Sequence, residues 1–566
     1  MISNYTKVFF ILILFFFSNE ANSKNNKKAS FNVNELSNYF SAVIAYDNQK
    51  NKQALKFFKS SRSLLDKHDE YFKKYIFSLV INQNIHRAIQ EIKFLDDKKK
   101  SNFFESQLLL FLDSIKKKDY KKSNFYLEKI SRFKNEGTFE QVIYETLRNY
   151  FFVFRNKKFS PHKSNFRNLS LINKAFMSCY LDDKKTINYF ENLNNSDSAD
   201  YSRYLFFYAS YLLHKNQFHN AKDLFFEVDN LTSNLIVLQT KSWLDQDKTE
   251  NFKNIFTCKN EQDILAEFFF LISNLYSTED DFEKSNFYLN ISIFLNEKFK
   301  FNLSLMAENF FEIDNFAETK EILNKFNVKD DIYYWYKIKK ISKIISKQES
   351  DEQSLKYLEA KIKKIKNPSL KILFDMANIY KNFEKYDEAI ELYSKVMESF
   401  DPESTTYADL LYKRGGSYER LRNYEDADQD LLSALKIIPD NPYILNYLAY
   451  SWLERNYKIS KAIQMLEKAY KQDENDPYII DSVGWAYYLV GKFEDAEKFM
   501  KRALEQMPDD PIVNDHYGDI LWSLNKKMQA SYFWKNVLKS KEADKEMKDK
   551  IKAKLLEGPK KTNENL

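Results

Sequence analysis

The chain of 566 residues holds only 7 Gly and 9 Pro, too few to supply the turns of a many-stranded fold, so helix is favoured. Its 44% hydrophobic and 30% charged residues describe amphipathic helices in water and exclude both a multi-span membrane protein and a disordered chain. The net charge of +6 is small against 87 basic and 81 acidic side chains, and the two signs are mixed along the chain, which leaves no footprint for nucleic acid.

Residues 1–23 read as a secretory signal peptide. Lys7 supplies a positive charge, VFFILILFFF runs apolar from Val8 to Phe17, and Ala21 and Ser23 are spaced for cleavage. Ten apolar residues cover about half the thickness of a bilayer when helical, which argues against a retained anchor. The expectation is an exported chain starting at Lys24, located in the periplasm and able to associate with the outer membrane.

From 24 to 365 the chain shows a weak helical repeat. YFSAVIAYDNQKNKQALKFFKSS places Ala42 twelve residues before Ala54 and Phe58 four after it. The same ruler reaches Ala88, Ser123, Ala221, Ser285 and Thr319, and more loosely Thr186 and Ser354. Around 135–180 and 235–260 the pattern is distorted, as by irregular repeats or a bend. Two cysteines, Cys179 and Cys258, lie in apolar-flanked segments and read as two independent buried thiols, with one bridge between distant repeats as the alternative.

From 366 to 540 the repeat is explicit. Small residues Ala377, Gly415, Ala449, Gly484 and Gly518 are followed twelve or thirteen residues later by Ala389, Ala427, Ala462, Ala496 and Ala530. Ala54 and Ala530 are separated by 476 residues, fourteen intervals of 34. Apolar positions recur every three or four residues over two runs of about a dozen, broken by polar turns, so each unit is a pair of antiparallel helices. The small residues belong where the two helices cross. IPDNPYIL, NDPYII and DDPIVN set Asp or Asn before a proline, the signature of a capped helix start. Such hairpins cannot bury their apolar faces alone and stack into an extended curved array. Residues 541–566 read as a polar cap helix and tail, the helix ending at Gly558-Pro559.

These features, in MANIYKNFEKYDEAIELYSKVM and the four repeats that follow it as far as Leu538, resemble tetratricopeptide repeats. NYLAYSWLERN, DPYIIDSVGWAYYLVGKFEDA and DDPIVNDHYGDILW further resemble a group of exported bacterial repeat proteins of the cell envelope. The resemblance implies an all-α fold, an α-α superhelical solenoid of stacked helix pairs. It also implies a non-enzymatic scaffold or adaptor that binds a protein or peptide on its concave face, without cofactor or metal. In the family that face is lined by first-helix residues three before and one after the small residue. Here these are Asn446, Tyr450, Asp481, Trp485, Asp515 and Asp519, with Tyr443, Tyr478, Tyr488 and Trp522 at neighbouring places. Such an aromatic, acidic groove implies a partner that presents basic or aromatic residues. Helix-start electrostatics offers a second explanation for Asp481 and Asp515, and interhelical packing one for the aromatics. No HExxH, GxSxG, phosphate-loop or CxxC motif occurs. His516, between Asp515 and Asp519, reads as a structural residue of a first helix rather than a ligand. The alternative function is an envelope hydrolase whose site hides in the divergent half.

Overall fold

The structure, a computed structural model, describes residues 32–559 apart from 65–68, 97–101, 136, 163–165 and 197–199; the predicted signal peptide lies outside them. Among the described residues every regular element is a helix, and no helix is long and apolar enough to cross a membrane. The chain divides into two compact units, one of residues 1–228 with 233–358 and one of residues 229–232 with 359–566.

The second unit follows the sequence pattern closely. Its hairpins are Leu370–Asn382 with Tyr386–Met397, Thr405–Arg420 with Tyr424–Ile437, Pro442–Glu454 with Ile459–Gln472, Pro477–Leu489 with Phe493–Gln506, and Pro511–Ser523 with Lys527–Lys539. The three proline-led helices begin as predicted. Asn441, Asp476 and Asp510 each accept hydrogen bonds from the backbone N–H groups of the second and third residues that follow, at 2.8–3.1 Å. Ala389, Ala427, Ala462, Ala496 and Ala530 are all buried, and the paired glycines show why. A Cβ on Gly415 would lie 3.1 Å from Leu431, and one on Gly484 3.2 Å from Met500. The helices cross at backbone contact, and large neighbours fill the space beside the crossing. A cap helix, Lys545–Glu557, closes the unit, with Ile551 fully buried.

The first unit departs from the extended array. Its Phe282–Leu295 helix is buried on nearly every face, from Ser285 to Ser292 without interruption, the character of a helix enclosed by others. Helices from the start of the unit close on this one and its neighbours. Phe77 stacks on Phe287 at 4.3 Å, His86 meets Phe294 edge-on at 5.1 Å, and Lys116 Nζ donates to the Phe294 carbonyl at 2.8 Å. Tyr46 bonds Glu283, 237 residues away, and Lys52 pairs with Glu318 at 2.9 Å. Tyr120 and Tyr180 both donate to Glu261 at 2.7 Å. The repeats of residues 33–358 therefore curl around one of their own hairpins. Apolar side chains on the inner face of the early helices find matching ones on Phe282–Leu295, so closure buries surface that an open array would leave in water.

Both irregular stretches have a structural cause. Thr138–Asn156 is a 19-residue helix followed over residues 157–162 by chain in no regular element, and the hairpin partner of Leu235–Asp245 shrinks to the four residues Glu250–Lys253. Shortening there brings Phe256 against Phe176 and Phe207, at ring separations of 5.8 and 4.7 Å. In the same place Cys258 meets Cys179, and the two form a disulfide with Cα atoms 5.8 Å apart. The expectation of two independent thiols is thus corrected. The two cysteines, 79 positions apart in sequence, return to the same spot because the chain curls.

Candidate functional site

The second unit carries a hollow of about 500 Å³ on first-helix faces, lined among others by Arg420, Asn446, Tyr447, Tyr450, Glu454, Tyr478, Asp481 and Ile512. Tyr478 and Ile512 are 63% and 48% exposed, while the Asn446 Oδ1 is shielded from solvent and accepts no hydrogen bond among the described residues. Four of the residues predicted for the groove therefore line it: Asn446, Tyr450, Tyr478 and Asp481. Tyr443 is exposed but stands outside this lining.

The other predicted residues are engaged within the protein. Trp485 and Tyr488 are buried and stack on each other at 4.8 Å. The Trp485 indole N–H donates to Glu454 at 3.0 Å, and its ring lies 4.0 Å from that of His516, nearly parallel. His516 Nδ1 in turn sits 3.0 Å from Asp481 Oδ1. Burial works against a charged imidazole, but the carboxylates around it, Asp481 first and then Asp515 and Glu454, together outweigh this and hold the His516 pKa above its ordinary value. Helix-start electrostatics does not explain Asp481 or Asp515, because both lie beyond the first turns of their helices.

The cap helix accounts for the remaining acids. Lys554 donates to Asp515 Oδ1 at 2.6 Å and to Asp519 Oδ2 at 2.8 Å. The other Asp519 oxygen accepts from the Trp534 indole at 3.1 Å. Burial pushes the Asp519 carboxyl up to about 6, against the pull of Lys554. Trp522 lies 5.4 Å from Trp534 and touches Gly558, where a Cβ would come within 2.6 Å of its ring. The acids expected to line the groove at this end are therefore engaged within the protein, Asp481 by His516 and Asp515 and Asp519 by Lys554. Sequence reasoning missed Lys554 because nothing in the local pattern of a polar cap helix marks one lysine as turned inward.

Basic residues are conspicuous one repeat earlier. Arg420 lies 3.8 Å from Glu419. The Tyr447 hydroxyl donates to Glu419 at 3.1 Å and reaches the Gly416 carbonyl at 3.4 Å. Among the described residues no group of three or more His, Cys, Asp or Glu is placed to hold a metal ion.

Comparison with known proteins identifies the repeat. The model of the tetratricopeptide repeat matches residues 370–400 and 408–441, and the chain carries tetratricopeptide repeats. A tetratricopeptide repeat-containing protein of Pseudomonas aeruginosa is 35% identical over 92 residues, 16% of this chain and 16% of that protein, so the match spans about a sixth of the relative. Among solved structures, a thermophilic tetratricopeptide repeat protein of Thermus thermophilus aligns over 33% of this chain and 100% of its own, with 17% identity and a TM-score of 0.30. PilF of Pseudomonas aeruginosa aligns over 31% and 79%, with 18% identity and a TM-score of 0.28.

Proposed function

We propose that this tetratricopeptide repeat chain is a protein-binding scaffold of the bacterial cell envelope, and that the groove of its second unit captures a segment of a partner protein. Tetratricopeptide repeat proteins bind protein partners, and one observation carries the reading to this groove. Exposed Tyr478 and Ile512 flank a hollow at whose wall the Asn446 side-chain carbonyl oxygen has no hydrogen-bond donor among the described residues. A shielded acceptor without a donor is costly, and the backbone N–H of a bound segment would satisfy it. Aromatic rims supply contact area at small loss of rotamer freedom.

The envelope location rests on two supports, the signal-peptide pattern of residues 1–23 and the Cys179–Cys258 disulfide, since disulfides persist in oxidising compartments such as the periplasm. A photo-crosslinking amino acid placed at Tyr478 tests the groove. The expected result is a discrete adduct with a partner protein in living cells that is absent when the probe replaces exposed Met528. The same adducts from both positions, or none from Tyr478, would sink the reading.

A further inference from the structure

The helix Val33–Asp47, which opens the first unit, is apolar on two opposite faces. One face packs inward, with Ala42, Ala45 and Tyr46 buried. On the other side Val33, Leu36, Phe40 and Ile44 follow one another at intervals of three, four and four residues, which aligns them along a single stripe. They are 79%, 39%, 55% and 61% exposed. A helix at a protein surface ordinarily turns polar residues outward, so a continuous apolar stripe in that place marks a docking surface.

Charge points to what docks there. The two signs are mixed over the chain as a whole, yet residues 24–60 hold seven lysines against two acids, a net charge of +5 out of the chain's +6. Three of those lysines, Lys24, Lys27 and Lys28, precede the helix directly, and at about 3.6 Å per residue Lys28 lies within about 18 Å of Val33. Lys50, Lys56 and Lys59, in the turn and second helix of the same hairpin, are exposed. The two acids are occupied. Asp47 pairs with Lys74 at 2.6 Å, and Glu35 accepts from the Ser63 hydroxyl.

Size separates the candidate occupants. A helix of 15 residues is about 22 Å long, and a stripe about 10 Å wide along it offers on the order of 200 Å². A stable contact with a second copy of the chain needs about 800 Å² from each partner. A lipid surface sets no such minimum, because a few apolar side chains at the acyl boundary and basic residues among the headgroups add to each other.

We propose that Val33–Asp47 is a membrane-contacting helix, which lays Val33, Leu36, Phe40 and Ile44 into the surface of an anionic phospholipid bilayer while the neighbouring lysines meet the headgroups. The chain from Lys24 onward thereby gains a reversible hold on a bilayer that needs no spanning segment. The helix belongs to the first unit, so the groove of the second stands or falls separately.

The test uses the chain from Lys24, the form expected after export, because the apolar run Val8–Phe17 would enter lipid by itself. Flotation with vesicles of phosphatidylethanolamine, with and without phosphatidylglycerol, reads the partitioning. The chain should float with the phosphatidylglycerol vesicles, and Phe40→Ser with Ile44→Ser should lower partitioning roughly tenfold or more. Replacing Lys24, Lys27 and Lys28 by alanine should lower it about fivefold per lysine at low salt. Phe40 and Ile44 are exposed, so the serine variant keeps its helical circular dichroism. Because Cys179 and Cys258 are paired, Phe40→Cys adds one reactive thiol, and an environment-sensitive dye on it should be quenched by brominated lipid. The same dye on Lys535→Cys, an exposed position of the second unit, should not be quenched. Equal flotation of the unaltered chain and the serine variant, equal flotation with and without phosphatidylglycerol, or quenching at both positions or neither overturns the proposal. A dimer in solution that the serine variant dissolves, with no flotation of either form, also overturns it and makes the stripe a contact between copies.

Discussion

At the scale of single residues, the hairpins share a device that composition conceals. The turn from first to second helix passes through a left-handed residue, at Gln83, Asn216, Asp280, Asp314, Arg422, Asn456 and Asn525 with φ between 50° and 62°, and at Gly491 with φ 75°; the turn at Asn456 adds a second, Lys458. The turn closes with a backbone bond, such as Asn423 N–H to the Tyr418 carbonyl at 2.9 Å. Glycine would mark this position in a sequence, but only Gly491 among these is glycine, so LRNYED and LVGKFED could be read as turns without their left-handed point. The two kinds of glycine separate experimentally. Gly491→Ala meets nothing within 4 Å, and its loss of about 1 kcal/mol is purely conformational. Gly518→Ala puts a methyl 2.3 Å from the Trp534 indole nitrogen, which must move away from Asp519, and should cost toward the upper end of about 1–3 kcal/mol. Urea unfolding of both variants ranks them; a Gly491 variant as damaging as the Gly518 one would contradict this account.

At the scale of helices, the weak repeats of the first unit keep the crossing by a different chemistry. Where the pattern asks for alanine or glycine, both sides of the crossing carry hydroxyls that bond each other: Ser114 with Ser123 at 2.9 Å, Ser178 with Thr186 at 3.0 Å, Ser273 with Ser285 at 3.1 Å and Ser342 with Ser354 at 2.6 Å. Thr186 and Ser354 fitted the ruler only loosely because a one-sided comparison sees a polar residue where a small one belongs. The compensation lies on the other helix, eight to twelve residues away. Ser354→Ala alone leaves the Ser342 hydroxyl with poorer partners and should cost roughly 1 kcal/mol, while the Ser342→Ala, Ser354→Ala double variant should cost less than the sum of the singles. A double-mutant cycle with zero coupling would show that the hydroxyls do not act as a pair.

At the scale of the molecule, periodicity made the helical class, the five C-terminal hairpins and the cap legible, since each depends on contacts within about 34 residues. Closure of the first unit and its disulfide depend on residues brought together across 79 or 237 positions, which no local pattern records. Removing the disulfide with Cys179→Ser and Cys258→Ser should destabilise the first unit by about 2–4 kcal/mol through the freed loop. Hydrogen exchange followed by mass spectrometry should then rise in 167–260 and stay unchanged in 442–538. A uniform rise over the whole chain would contradict a local staple. Closure also constrains how the gene can change. A hairpin duplicated within the second unit would find the same neighbours above and below, so that array can lengthen in steps. The first unit meets itself at Phe77 with Phe287 and Lys52 with Glu318, and one hairpin more or fewer would carry those partners past each other. Its repeat number is locked as in a ring, and its sequence can drift only in pairs that preserve the fit.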